Sequence, residues 1–165
     1  MGVVLWTLFV SAEISSAQQA PDFSGSYLLT SAKGTASRPK TLPVKHLKVR
    51  QEGRVLEVVV KWDGEEAKSV YFLDGSESLN LTPGGAKSKD TARFKGKALE
   101  IESIVDVPQS FSPSLICTKE KWQFSGDLGT LTIRTRADSI IRVAGPGSTI
   151  TIELASFVET YTRRN

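Results

Sequence analysis

The chain has one cysteine, Cys117, and one histidine, His46, in 165 residues. A single thiol excludes an intramolecular disulfide framework and any cysteine-rich zinc site. A single imidazole excludes catalytic or metal centres that need two, so neither a metal nor a cofactor is expected. Charge of one sign is not in excess: Lys+Arg number 21 and Asp+Glu 18, a net +3. So small and scattered a surplus argues against a dedicated nucleic-acid binder. The densest basic stretch, Lys33, Arg38, Lys40, Lys45, Lys48, Arg50 and Arg54, has no aromatics interleaved for base stacking and reads as a solvated loop and polar strand face. Beyond residue 12 no apolar run approaches the ~20 residues of a membrane-spanning helix, so stable membrane insertion is not expected. No window shows an apolar stripe at helical spacing. What remains, 39% hydrophobic and 24% charged residues, is ordinary globular composition, and the length fits one domain.

The one apolar run lies at the start: Val3, Val4, Leu5, Trp6, Leu8, Phe9 and Val10, followed by Ser15-Ser16-Ala17. A run of this length before small residues has the form of a signal peptide over 1–17, cleaved after Ala17. No Lys or Arg precedes the run, and Glu13 follows it; the other reading is a first strand or helix of the folded domain. The expectation is an exported protein, periplasmic or extracellular, with 18–165 forming a single β-barrel domain. Cys117 then reads as a small buried hydrophobe on a strand.

From Asp22 onward the apolar period is two. Leu47 and Val49; Leu56, Val58, Val60 and Trp62; Leu99, Ile101, Ser103 and Val105; Leu131 and Ile133; and Ile150, Ile152 and Leu154 each alternate with more polar neighbours. Such runs are half-buried antiparallel strands. Glycine-bearing turns separate them, at Glu52-Gly53, Asp63-Gly64, Asp74-Gly75, Lys95-Gly96 and Ser125-Gly126-Asp127. The expected fold is all-β: an antiparallel meander of 8–10 strands closing into a barrel, with an open sandwich as the other geometry.

Asp22-Phe23-Ser24-Gly25-Ser26-Tyr27 resembles the opening of small exported bacterial β-barrel proteins described as lipocalin-like. Residues Thr91–Glu102 look like their central hairpin. Lys119–Phe124 with Gly129–Ile133 look like a later one, and Val158–Arg164 is similar to their closing strand. In lipocalins a Gly-x-Trp on the first strand packs its indole at the closed end, and here Tyr27 takes that place. The resemblance implies a hollow or plugged barrel with room for a small hydrophobic ligand, and no catalytic activity.

Strand parity nominates the interior. Ile116, Thr118, Glu120, Trp122 and Phe124 share one face, so Glu120 points inward with Trp122 unless a bulge turns it to water. A carboxylate inside a barrel must be paired, hydrogen-bonded or protonated. The same parity turns Ser69, Ser103, Thr118 and Thr135 inward. The candidate ligand-binding set is Trp62, Tyr71, Ser103, Thr118, Glu120, Trp122 and Thr135. His46 alternates with Leu47 and faces solvent, Glu65-Glu66 and Glu100/Glu102 read as solvated, and Asn80-Leu81-Thr82 is a formal glycosylation sequon. Three functions follow in order. The first is binding of a small apolar or amphipathic ligand in the interior. The second is a filled barrel that meets a protein partner, as an inhibitor or assembly protein, through loops 32–43 and 107–114. The third is an enzyme using an interior carboxylate such as Glu120.

Overall fold

The computed structural model describes residues 20–35, 44–82, 85–107, 114–142 and 149–164. The signal peptide expected over 1–17 and most of loops 32–43 and 107–114 lie outside them.

The described residues form ten strands: β1 (Gly25–Gly34), β2 (Lys45–Glu52), β3 (Val55–Trp62), β4 (Glu65–Phe72), β5 (Asp74–Leu81), β6 (Lys87–Lys95), β7 (Ala98–Val107), β8 (Ser114–Phe124), β9 (Thr130–Arg142) and β10 (Thr149–Arg164). They make one antiparallel sheet in the order β4-β3-β2-β1-β10-β9-β8-β7-β6-β5. The first and last strands in this order, β4 and β5, are consecutive in the chain with only Leu73 between them. The sheet therefore curls back on itself into a nearly closed barrel. Curling of this kind removes most of the exposed edge that an open sheet would present.

The turns follow from local chemistry. Asp63 and Gly64 both take positive φ, 45° and 85°, between the paired residues Trp62 and Glu65. Two consecutive left-handed residues match the right-handed twist of the flanking strands, which is why Asp-Gly is favoured there.

Alternation then sorts the side chains. Leu56, Leu99 and Leu131 are each 0% exposed and look into the barrel. At one end Phe23 stacks on Phe124 with ring centroids 4.7 Å apart and meets Trp122 edge-on at 6.1 Å. Tyr27 is buried beside them, and its hydroxyl donates to the Phe23 carbonyl at 2.8 Å. Tyrosine thus fills the closed end, with its one polar atom satisfied by backbone. Burial raises the Tyr27 phenol above its ordinary value.

Two strand readings are corrected. Ile150, Ile152 and Leu154 were expected to form a buried face but are exposed. Among the described residues β10 pairs with β1 only over Phe157–Arg164, so its first residues have a described neighbour on β9 alone. A bulge between Glu153 and Ala155 also shifts the alternation by one residue at Leu154. Cys117 is on a strand, as expected, but only half-buried. It shares the outward parity of Lys119 and Lys121, and the burial it has pushes its thiol up from the ordinary value.

Candidate functional site

Above the aromatic floor the interior is hollow. A cavity of about 470 Å3 is walled by residues of eight strands: Lys45 of β2; Val60 and Trp62 of β3; Ala67, Ser69 and Tyr71 of β4; Leu81 of β5; Ser88 and Asp90 of β6; Ser103 and Val105 of β7; Thr118 and Glu120 of β8; and Glu159 of β10. Thr82, just past β5, borders it as well. That volume lies within the range of small-molecule sites.

Trp62, Tyr71, Ser103, Thr118 and Glu120 of the nominated set line this cavity. Trp122 does not: it is 3% exposed and lies in the core beneath. It reaches the cavity wall through one bond, its Nε1–H donating to Glu120 Oε2 at 2.8 Å. Thr135 is buried and pairs with Glu120 across β8 and β9, but borders a second concavity of about 450 Å3. The charged walls of that concavity include the ion pair Lys119–Glu102 at 2.6 Å.

No bulge interrupts β8 at Glu120; its register with β7 and β9 is continuous. The carboxylate therefore turns inward, and its removal from bulk water pushes its pKa above the ordinary carboxylate range. The Trp122 bond and the charge of Lys45 oppose that rise, while Glu159 and Asp90 add to it. Burial likewise raises the Tyr71 phenol, helped by the nearby charges of Glu120 and Asp90.

The sequence reading missed half of the polar layer. Lys45, placed with the solvated basic stretch, instead turns inward and grips both oxygens of Glu159, at 3.0 and 2.9 Å. Tyr161 donates its hydroxyl to Glu159 Oε2 at 2.8 Å, and its own proton is held more tightly through burial and the Glu159 charge. Asp90 is 2% exposed; its Oδ2 accepts from Asn80 Nδ2 at 2.6 Å and from the Ser88 hydroxyl at 3.1 Å. A signal for Asp90 was present. Ser88, Asp90, Ala92 and Phe94 are every second residue of one strand, and the apolar end of that series fixes the direction of its polar end.

Asn80 also closes the barrel. Its side-chain carbonyl accepts from the Val70 N–H at 2.8 Å, and its amide donates to the Val70 carbonyl at 2.9 Å. A side chain thereby supplies the rung that joins β5 to β4. The sequon asparagine is thus occupied as a structural amide.

Among the described residues no group of three or more His, Cys, Asp or Glu is placed to hold a metal ion. Nor, among the described residues, is any helix long and apolar enough to cross a membrane.

No family model matches the chain. No curated protein sequence matches it either. Solved structures do. The zebrafish ileal bile acid-binding protein complexed with cholic acid superposes with a TM-score of 0.56 at 17% identity, covering 86% of this chain and 98% of that one. Fatty-acid-binding protein 1 of Echinococcus granulosus gives 0.55 at 12% identity, covering 87% and 98%. Apo lipid binding protein 8 of Caenorhabditis elegans gives 0.52 at 10% identity, covering 86% and 95%. At these identities the likeness shows the fold: an all-β barrel of the kind seen in fatty-acid-binding proteins.

Proposed function

We propose that the protein binds a small apolar or amphipathic molecule inside the barrel. The observation that carries this reading is the 470 Å3 cavity itself, with Val60, Trp62, Ala67 and Val105 as apolar wall and a few polar groups converging from Asp90, Glu120 and Tyr71. Apolar ligand surface removed from water there contributes about 25 cal/mol per Å2, and the polar groups fix orientation. The structural neighbours, binders of bile acid, fatty acid and lipid, support the same use of the same fold. The hollow interior favours this reading over a filled barrel acting only through its loops.

The proposal extends to location. The apolar run Val3–Val10 and the small residues Ser15-Ser16-Ala17 support export of an exported, lipocalin-like binder. The mass of the mature protein recovered outside the cytoplasm tests this, with loss of residues 1–17 expected; an intact N-terminus on a cytoplasmic protein contradicts it.

For binding, the test is titration with lipids, retinoids and porphyrins, read by tryptophan fluorescence and by Tm. Saturable quenching at one equivalent, with a rise in Tm, is expected for at least one class, because Trp62 lines the cavity. If none quenches and none raises Tm, the reading is withdrawn.

A further inference from the structure

We propose that the cavity selects an amphiphile with a protonated amine head group and discriminates against carboxylates. This rests on the interior binding reading above and adds the head-group chemistry. Among the described residues three carboxylates line the cavity, those of Asp90, Glu120 and Glu159, against a single cation, Lys45. That cation is already committed: Lys45 Nζ holds both oxygens of Glu159, and Tyr161 donates to the same carboxylate. A carboxylate ligand would have to displace Glu159 from Lys45, and it would also face Asp90 and Glu120, which have no cation of their own among the described residues. Like charges in a site shielded from water repel far more strongly than in bulk.

A second observation points to a donor. Asp90 Oδ1 belongs to a side chain only 2% exposed that lines the cavity, and this oxygen has no hydrogen-bond partner among the described residues. Its sister oxygen is held by Asn80 and Ser88, so the carboxylate is fixed in place. Buried carboxylate oxygens are seldom left without a donor, and charge-assisted bonds are the strong ones. Glu120 likewise has one oxygen, Oε2, anchored by Trp122. An ammonium brings three donors and one positive charge to this wall, while its alkyl chain lies along Val60, Trp62 and Val105.

The test compares three probes of one chain length, decylamine, decanoate and decanol, by isothermal calorimetry near neutral pH and below their aggregation limits. The expected result is one decylamine per chain, bound at least tenfold tighter than decanoate and tighter than decanol. Asp90→Asn, with its fold checked by near-ultraviolet circular dichroism, is expected to reduce the amine's advantage over decanol about tenfold. Glu120→Gln provides the same reading if the first variant does not fold. Decanoate binding as tightly as decylamine, decanol matching it, or an unchanged amine-to-alcohol ratio in a folded variant overturns the proposal and leaves interior binding intact. Failure of all three probes to bind overturns both readings.

Discussion

Glu120 shows how far one residue's parity reaches. Its neighbours two positions away, Thr118 and Trp122, share its face, and the uninterrupted register of β8 carries all three inward. Because burial raises its pKa, the folded state holds the proton more tightly than the unfolded chain does. The contribution of Glu120 to stability is therefore most favourable below the ordinary carboxylate pKa. It is lost as pH rises from that value through the raised one. Glu120→Gln keeps an acceptor for Trp122 and removes the ionisation. The variant is expected to melt above the parent at about pH 8, with the gap closing near pH 4. Thermal denaturation at the two pH values checks this, and an equal gap at both would contradict it. Lys45 stabilises a carboxylate through an ion pair. Its Glu159 partner is 13% exposed, and Lys45 itself 25%. Replacement by Met leaves a largely buried carboxylate without its cation, held by the Tyr161 hydroxyl. Urea titration of Lys45→Met is expected to show a loss of about 2 kcal/mol, less than the ~3–5 of a fully buried pair because water reaches part of the lysine. Hydropathy could not reveal this pair, since a lysine in a run of basic residues looks the same whether it faces water or a distant glutamate.

At the scale of elements, hairpins were the most legible feature. The Asp63-Gly64 turn and the alternation of Leu56, Val58, Val60 and Trp62 are local properties, readable without knowing the fold. Features that depend on a neighbouring strand were not. Ile150 and Ile152 alternate as faithfully as any core residues, yet among the described residues they pair with β9 alone and are exposed. The bulge at Leu154 left no mark in the pattern. The Asn80 rung depends on β4 and β5 meeting after the sheet has curled, so a short sequon gave no hint of it. Asn80→Ala removes both bonds to Val70 and one to Asp90. Hydrogen exchange is expected to speed up at the Val70 amide by at least tenfold, with little change at amides of β8 and β9. Uniform loss of protection throughout the sheet would instead mean that this seam holds the whole barrel together.

For the whole molecule, ten strands of alternating polarity leave two outcomes, a filled interior or a hollow one. The balance is set by side-chain size at the inward positions. Phe23, Phe94, Trp122 and Phe124 fill one end. Ala67, Ser69, Ser88, Ser103 and Thr118 are too small to fill the other, and the cavity forms between them. Strand parity alone was enough to nominate Trp62, Tyr71, Ser103, Thr118 and Glu120. The acid-rich character of the wall was only partly readable: the parity of Ala92 and Phe94 aims Asp90 inward, whereas Glu159 follows the β10 bulge at Leu154, which shifts the alternation. The central claim is that this hollow is where a ligand sits, and filling it is the most direct test. Ser103→Phe places a ring in the cavity while leaving the outer surface as it is. Titration of the folded parent and the folded variant with one amphiphile bound by the parent is the decisive comparison. The account predicts one saturable site in the parent and an affinity at least tenfold weaker in the variant; equal affinity in the two would place the ligand elsewhere.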